Sequence, residues 1–66
     1  MKNGEENRLR KYMKVRKITQ IKLAEEIGVT NDYISQIVRG RTPGMKTAKL
    51  LADYFMTTVD EIFFKN

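Results

Sequence analysis

Asn31, Asp32, Ser35, Gln36 and Arg39 recur at spacings that put them on one side of a helix, while Ile34, Ile37 and Val38 occupy the other. Every residue of the polar side can donate or accept hydrogen bonds. Acid–base and nucleophilic chemistry have little to work with, because the chain contains no histidine and no cysteine. The usual general base, the thiolate nucleophile, the commonest metal ligand and any disulfide are therefore missing. Enzymatic activity, a cofactor and a metal site are not expected. The chemistry such a face suits is recognition. The amides of Asn31 and Gln36 can each pair in a bidentate way with adenine, and the Asp32 carboxylate can accept from the cytosine amino group. Asp32 also falls in the first turn, where an acid stabilises the helix dipole, so it carries two readings. Tyr33 carries two as well. Its ring either packs partly buried on the preceding helix or offers its hydroxyl to a phosphate and its edge to a thymine methyl.

These residues need an element that presents them, and the flanking sequence supplies one. Thr19 can cap a first helix whose apolar stripe is Leu23, Ala24 and Ile27, and Gly28 can take the left-handed conformation that ends it. Ala24 is small where a second helix must approach. After Val29, Thr30 can cap that second helix, and Gly40 ends it before an Arg41–Gly44 loop. Two short capped helices joined through one glycine form a helix-turn-helix.

The chain has 66 residues and a net charge of +5. That length allows one domain, residues 1–66, with a core small enough that dimerisation or very good helix packing is expected. The charge is uneven. Residues 1–17 carry +5 and residues 39–49 carry +4, whereas residues 18–38 and 50–66 each carry −2. Basic segments flanking a slightly acidic recognition helix suit a division of labour in which cations grip phosphates and uncharged side chains inspect bases. No apolar run approaches the roughly 20 residues that span a bilayer. Neither a membrane nor a secretory signal is indicated, and a cytoplasmic location is expected.

Periodicity and end signals place helices near 5–16, 20–27, 31–38, 46–55 and 59–63. Glu5 and Glu6 suit the start of the first, whose inward stripe is Leu9, Tyr12 and Met13. Ile18, just before the Thr19 cap, can staple against Leu23. The fourth helix has Met45, Ala48, Leu51, Ala52 and Phe55 as its expected apolar face. Thr58 and Glu61 have capping-box spacing for the fifth. The fold class is all-α.

Thr19-Gln20, Leu23-Ala24, Ile27-Gly28-Val29-Thr30, Tyr33-Ile34-Ser35-Gln36-Ile37, Arg39-Gly40 and Val59-Asp60-Glu61-Ile62-Phe63, at these spacings, resemble the lambda-repressor-like, or xenobiotic-response-element, family of Cro/C1-type regulators. The resemblance covers residues 7–63. It implies a compact five-helix domain that binds an operator in double-stranded DNA, usually as a homodimer, with helix 3 in the major groove. It places Asn31, Asp32, Tyr33, Ser35 and Gln36 at base edges. Gln20, Thr30, Arg39, Arg41, Thr42 and Lys46 fall around the phosphate backbone. Lys22 stands where relatives have the acid of a capping box; it is either a phosphate contact or a solvated lysine.

Three further departures matter. Relatives often carry a buried arginine late in helix 1 paired with a glutamate late in helix 3, where this chain has Met13 and Val38. Losing both charges together avoids their desolvation cost, so the two apolar residues are expected to meet in the core. Lys17 and Met56 stand at helix ends where relatives often have glycine.

The expected function is a sequence-specific transcriptional regulator, a repressor binding a palindromic operator, with no small-molecule ligand. Val59, Ile62, Phe63 and Phe64 are the expected dimer surface, the alternative for Phe64 being that it folds back over helix 1 or 4. The competing function is a protein-binding module of antitoxin or adaptor type on the same fold.

Overall fold

Three threonines start three helices. In the computed structural model, which describes residues 7–64, the hydroxyls of Thr19, Thr30 and Thr58 accept from the amides of Lys22, Tyr33 and Glu61 at 3.1, 3.1 and 3.2 Å. Each such cap is worth about 1 kcal/mol. The helices are α1 (Leu9–Arg16), α2 (Gln20–Ile27), α3 (Asn31–Val38), α4 (Met45–Tyr54) and α5 (Val59–Phe63), with no strand among the described residues.

Four of the five helices end by one device. An amide two or three residues past the helix folds back to a carbonyl in its last turn: Ile18 to Met13, Val29 to Ala24, Arg41 to Gln36 and Thr57 to Ala52, at 2.9–3.1 Å. This closure needs a left-handed residue between helix and bond. Gly28 (φ 83) and Gly40 (φ 119) supply it without strain, but Lys17 and Met56 adopt φ 56 with a Cβ in place. Met56 is 84% exposed, so its side chain contributes little to packing. Met56→Gly should therefore stabilise the protein by about 1 kcal/mol, a rise in Tm of roughly 4–8 °C at this size. An unchanged or lower Tm in a thermal melt would contradict the strain.

One hydrophobic cluster draws on all five helices. Leu9, Leu23, Ile34, Ile37, Leu51 and Ile62 have no exposed surface, and Ala24 lies nearly buried where α2 and α3 make the most extensive pairing in the fold. Met13 and Val38 both lie in this cluster, 7% and 4% exposed. Arg16 stacks its guanidinium over Tyr54 and Phe55, 5.8 and 5.6 Å from their centroids, at the edge of the same core.

Three expectations change. The first helix starts at Leu9 rather than near residue 5; Glu5 and Glu6 lie outside the described residues, but Asn7 and Arg8 are not helical. A local bond from Asn7 and a long-range bond set this start. Asn7 Oδ1 accepts from the Leu9 amide at 3.0 Å, and the Arg8 amide donates to Ile62 O at 2.8 Å, tying this segment to α5. Met45, placed on the apolar face of helix 4, is 71% exposed because it begins the helix at the edge of the loop. The fourth helix runs over Met45–Tyr54 rather than 46–55, and Phe55, just past its end, is buried as expected.

Candidate nucleic-acid interface

The outer side of α3 collects the polar residues as their spacing requires. Asn31 and Asp32 are exposed in its first turn, Ser35 and Gln36 are half-buried in its second, and Arg39 is exposed just beyond its end. Ile34, Ile37 and Val38 are buried beneath them, so core packing fixes the rotation of this helix and hence the direction of its polar face.

Several of these side chains bind one another. Gln36 Nε2 donates to Asp32 Oδ2 at 2.9 Å, and Arg41 Nη1 donates to Gln36 Oε1. The Arg41 guanidinium lies 5.0 Å from the centroid of the Tyr33 ring. The Tyr33 hydroxyl in turn accepts from the Gly44 amide at 3.2 Å. The loop after α3 is thus fastened onto the polar face. The Tyr33 ring is half-buried against the core and its hydroxyl also holds the loop.

Around this face stand the residues expected at phosphates. Gln20 is half-buried at the first position of α2, and Thr42 and Lys46 are exposed in and after the loop. Thr30 uses an oxygen lone pair for its cap and keeps its hydroxyl proton free to donate outward. Lys22 pairs with Glu26 at 3.3 Å. Both partners are exposed, and such i,i+4 pairs contribute only about 0.3–0.5 kcal/mol, so a stronger anion can take the lysine from it. With Arg16 and Lys17, Lys22 also lines a shallow hollow at the α1–α2 corner, which gathers three cations at one place. Arg41, also expected at a phosphate, is exposed and rests its guanidinium on Gln36 and Tyr33.

At the other end of the fold, Ile62 is fully buried and belongs to the core; it is unavailable to the dimer surface assigned to it. It sits one turn after the Thr58 cap on a helix that packs against α4, and its backbone oxygen accepts from the Arg8 amide. Val59 and Phe63 are partly buried, while Phe64 is 62% exposed and does not fold back over a helix.

A family model described as helix-turn-helix matches residues 9–62. The chain belongs to the Cro/C1-type helix-turn-helix family. No curated protein and no solved structure matches it. Members of the family are DNA-binding transcriptional regulators, and the five helices, their all-α class and the α2–α3 corner are those of its lambda-repressor-like fold. Among the described residues, no helix of this Cro/C1-type domain is long and apolar enough to cross a membrane.

The signal that sequence reading passed over in this domain is the Arg41–Gln36 pair. Gly40 was its only local sign. In the closure that ends α3, the amide of Arg41 returns to Gln36 O at 3.0 Å, which brings the two side chains together although they are five residues apart.

Proposed function

We propose that this Cro/C1-type protein is a cytoplasmic, sequence-specific transcriptional repressor that binds a palindromic operator as a homodimer, with α3 in the major groove. The observation that carries the reading is the polar outer face of α3, held over a buried apolar side and flanked by basic segments, in a fold whose family binds DNA. Asn31, Asp32, Tyr33, Ser35 and Gln36 form the face offered to base edges. Gln20, Lys22, Thr30, Arg39, Thr42 and Lys46 surround it at the level of the backbone. Half-sites one helical turn, ~34 Å, apart would bring two copies together through the apolar end formed by Val59, Phe63 and Phe64. An exposed phenylalanine beside two partly buried apolar residues suits a symmetric contact.

Selection of bound sites from a random duplex library tests DNA binding, specificity and two-fold symmetry together. A palindromic consensus is expected. Within it, Gln36→Ala should relax preference at one base pair per half-site by roughly 1–3 kcal/mol. Lys46→Ala should instead weaken all sequences alike and lower the salt slope by about 0.9. Equal losses on selected and random duplexes for Gln36→Ala would remove it from the reading set, and selection of no sequence would overturn the regulator.

A further inference from the structure

We infer that Arg41 is a positioning residue for base specificity: together with Asp32 it locks the Gln36 amide in a single orientation, so that Gln36 reads adenine in preference to guanine. The inference rests on the reading of α3 as the major-groove helix and adds to it the identity of the base and the means of choosing it.

The geometry is a bracket around a neutral amide. A cation donates to Oε1 on one side and a carboxylate accepts from Nε2 on the other, the latter at 2.9 Å. Turning the amide over would aim its N–H groups at the guanidinium and its carbonyl at the carboxylate, losing both bonds and replacing each with repulsion. The bracket itself is anchored. Arg41 is held from below by the Tyr33 ring, whose hydroxyl is tied to the Gly44 amide, and from behind by its own backbone bond to Gln36 O at 3.0 Å.

What remains of the amide after the bracket forms decides what it can read. A glutamine amide has two acceptor lone pairs and two donor hydrogens. Arg41 takes one lone pair and Asp32 takes one hydrogen, which leaves one acceptor and one donor. That remainder matches adenine, whose major-groove edge offers the N6 donor and the N7 acceptor. Guanine presents two acceptors, N7 and O6, and an amide meets both only by spending its two hydrogens on them. A free glutamine can make that change by rotating; a bracketed one cannot. Arg41 thus acts on the choice of base through Gln36, without touching the base itself.

The test uses the full chain. The base pair that loses preference in Gln36→Ala identifies the position, and duplexes carrying A or G there are compared for the wild type, Arg41→Ala and the double variant Gln36→Ala/Arg41→Ala. The wild type should prefer A by about fivefold or more. Arg41→Ala should bring the two duplexes close to equal while preferences elsewhere in the site persist, and the double variant should discriminate no less than Gln36→Ala alone. In the DNA-free protein, the side-chain amide resonances of Gln36 should shift in Arg41→Ala. A wild-type preference for G, an A-over-G preference untouched by Arg41→Ala, or unmoved Gln36 amide resonances would each overturn the bracket while leaving the regulator standing. A wild type that selects no sequence would overturn the regulator and the bracket with it.

Discussion

Val38→Glu should unfold most of the protein, and adding Met13→Arg to it should bring much of the fold back. Val38 is 4% exposed in α3, within the one core that also holds Met13 of α1. A carboxylate there has no cation to meet, and an uncompensated buried charge costs about 3–5 kcal/mol. A chain of this size has a total stability of roughly 3–10 kcal/mol, so the single substitution removes a large share of it. The double variant installs at these two places the arginine–glutamate pair that the family resemblance implies. It should still be less stable than the wild type by about 1–4 kcal/mol, because two desolvated ions seldom outperform well-packed apolar side chains. Urea denaturation of the two single variants and the double measures the coupling directly. A double variant no more stable than Val38→Glu would mean that the two positions do not meet across the core.

Ile34→Ala should cost about 2–5 kcal/mol, the range for removing a large aliphatic side chain from a site that cannot collapse. Ile34 is fully buried on the inner side of α3, directly behind the polar face. Its loss therefore loosens the support of the helix that presents Asn31 and Gln36. Ser35→Ala, one residue on and half-buried, should change stability by no more than about 0.5 kcal/mol. The urea midpoint should fall for Ile34→Ala with an unchanged slope. A ligand that binds only the folded state adds about 2.7 kcal/mol at 100 times its Kd, so the selected operator should restore much of the lost stability. A midpoint that stays near that of the wild type would show that α3 is held by something other than this core contact.

The ends of the helices were legible to different degrees, and the reason is locality. For α2 and α3 the expected spans, 20–27 and 31–38, are the observed ones, since Thr19, Gly28, Thr30 and Gly40 act on amides and carbonyls only a few residues away. The start of α1 could not be read in the same way. It depends on a hydrogen bond from the Arg8 amide to Ile62 O and on Asn7, whose Nδ2 donates to Ile37 O at 2.9 Å while its Oδ1 accepts from the Leu9 amide. Both tie it to helices far along the chain. Met45 has an apolar side chain at a plausible helical position, yet among the described residues none covers it, and it stays exposed.

The polar face shows the same division within a few residues. Which side chains α3 offers outward follows from its 3.6-residue period, and the sequence by itself determined that Asn31, Asp32, Ser35 and Gln36 would share a side opposite Ile34, Ile37 and Val38. It also determined the all-α class and the helix-turn-helix corner, because each rests on residue type at short range, whereas the left-handed backbone at Lys17 and Met56 is seen only in the fold. Only the tertiary structure decided that Ile62 belongs to the core and that Phe64 remains outside it. It alone decided that Arg41 would leave the loop to bind Gln36 over the Tyr33 ring. Such pairings depend on where a backbone turn returns the chain in space and on which neighbours fill the room around a side chain, and neither is carried by the spacing of residues along the sequence.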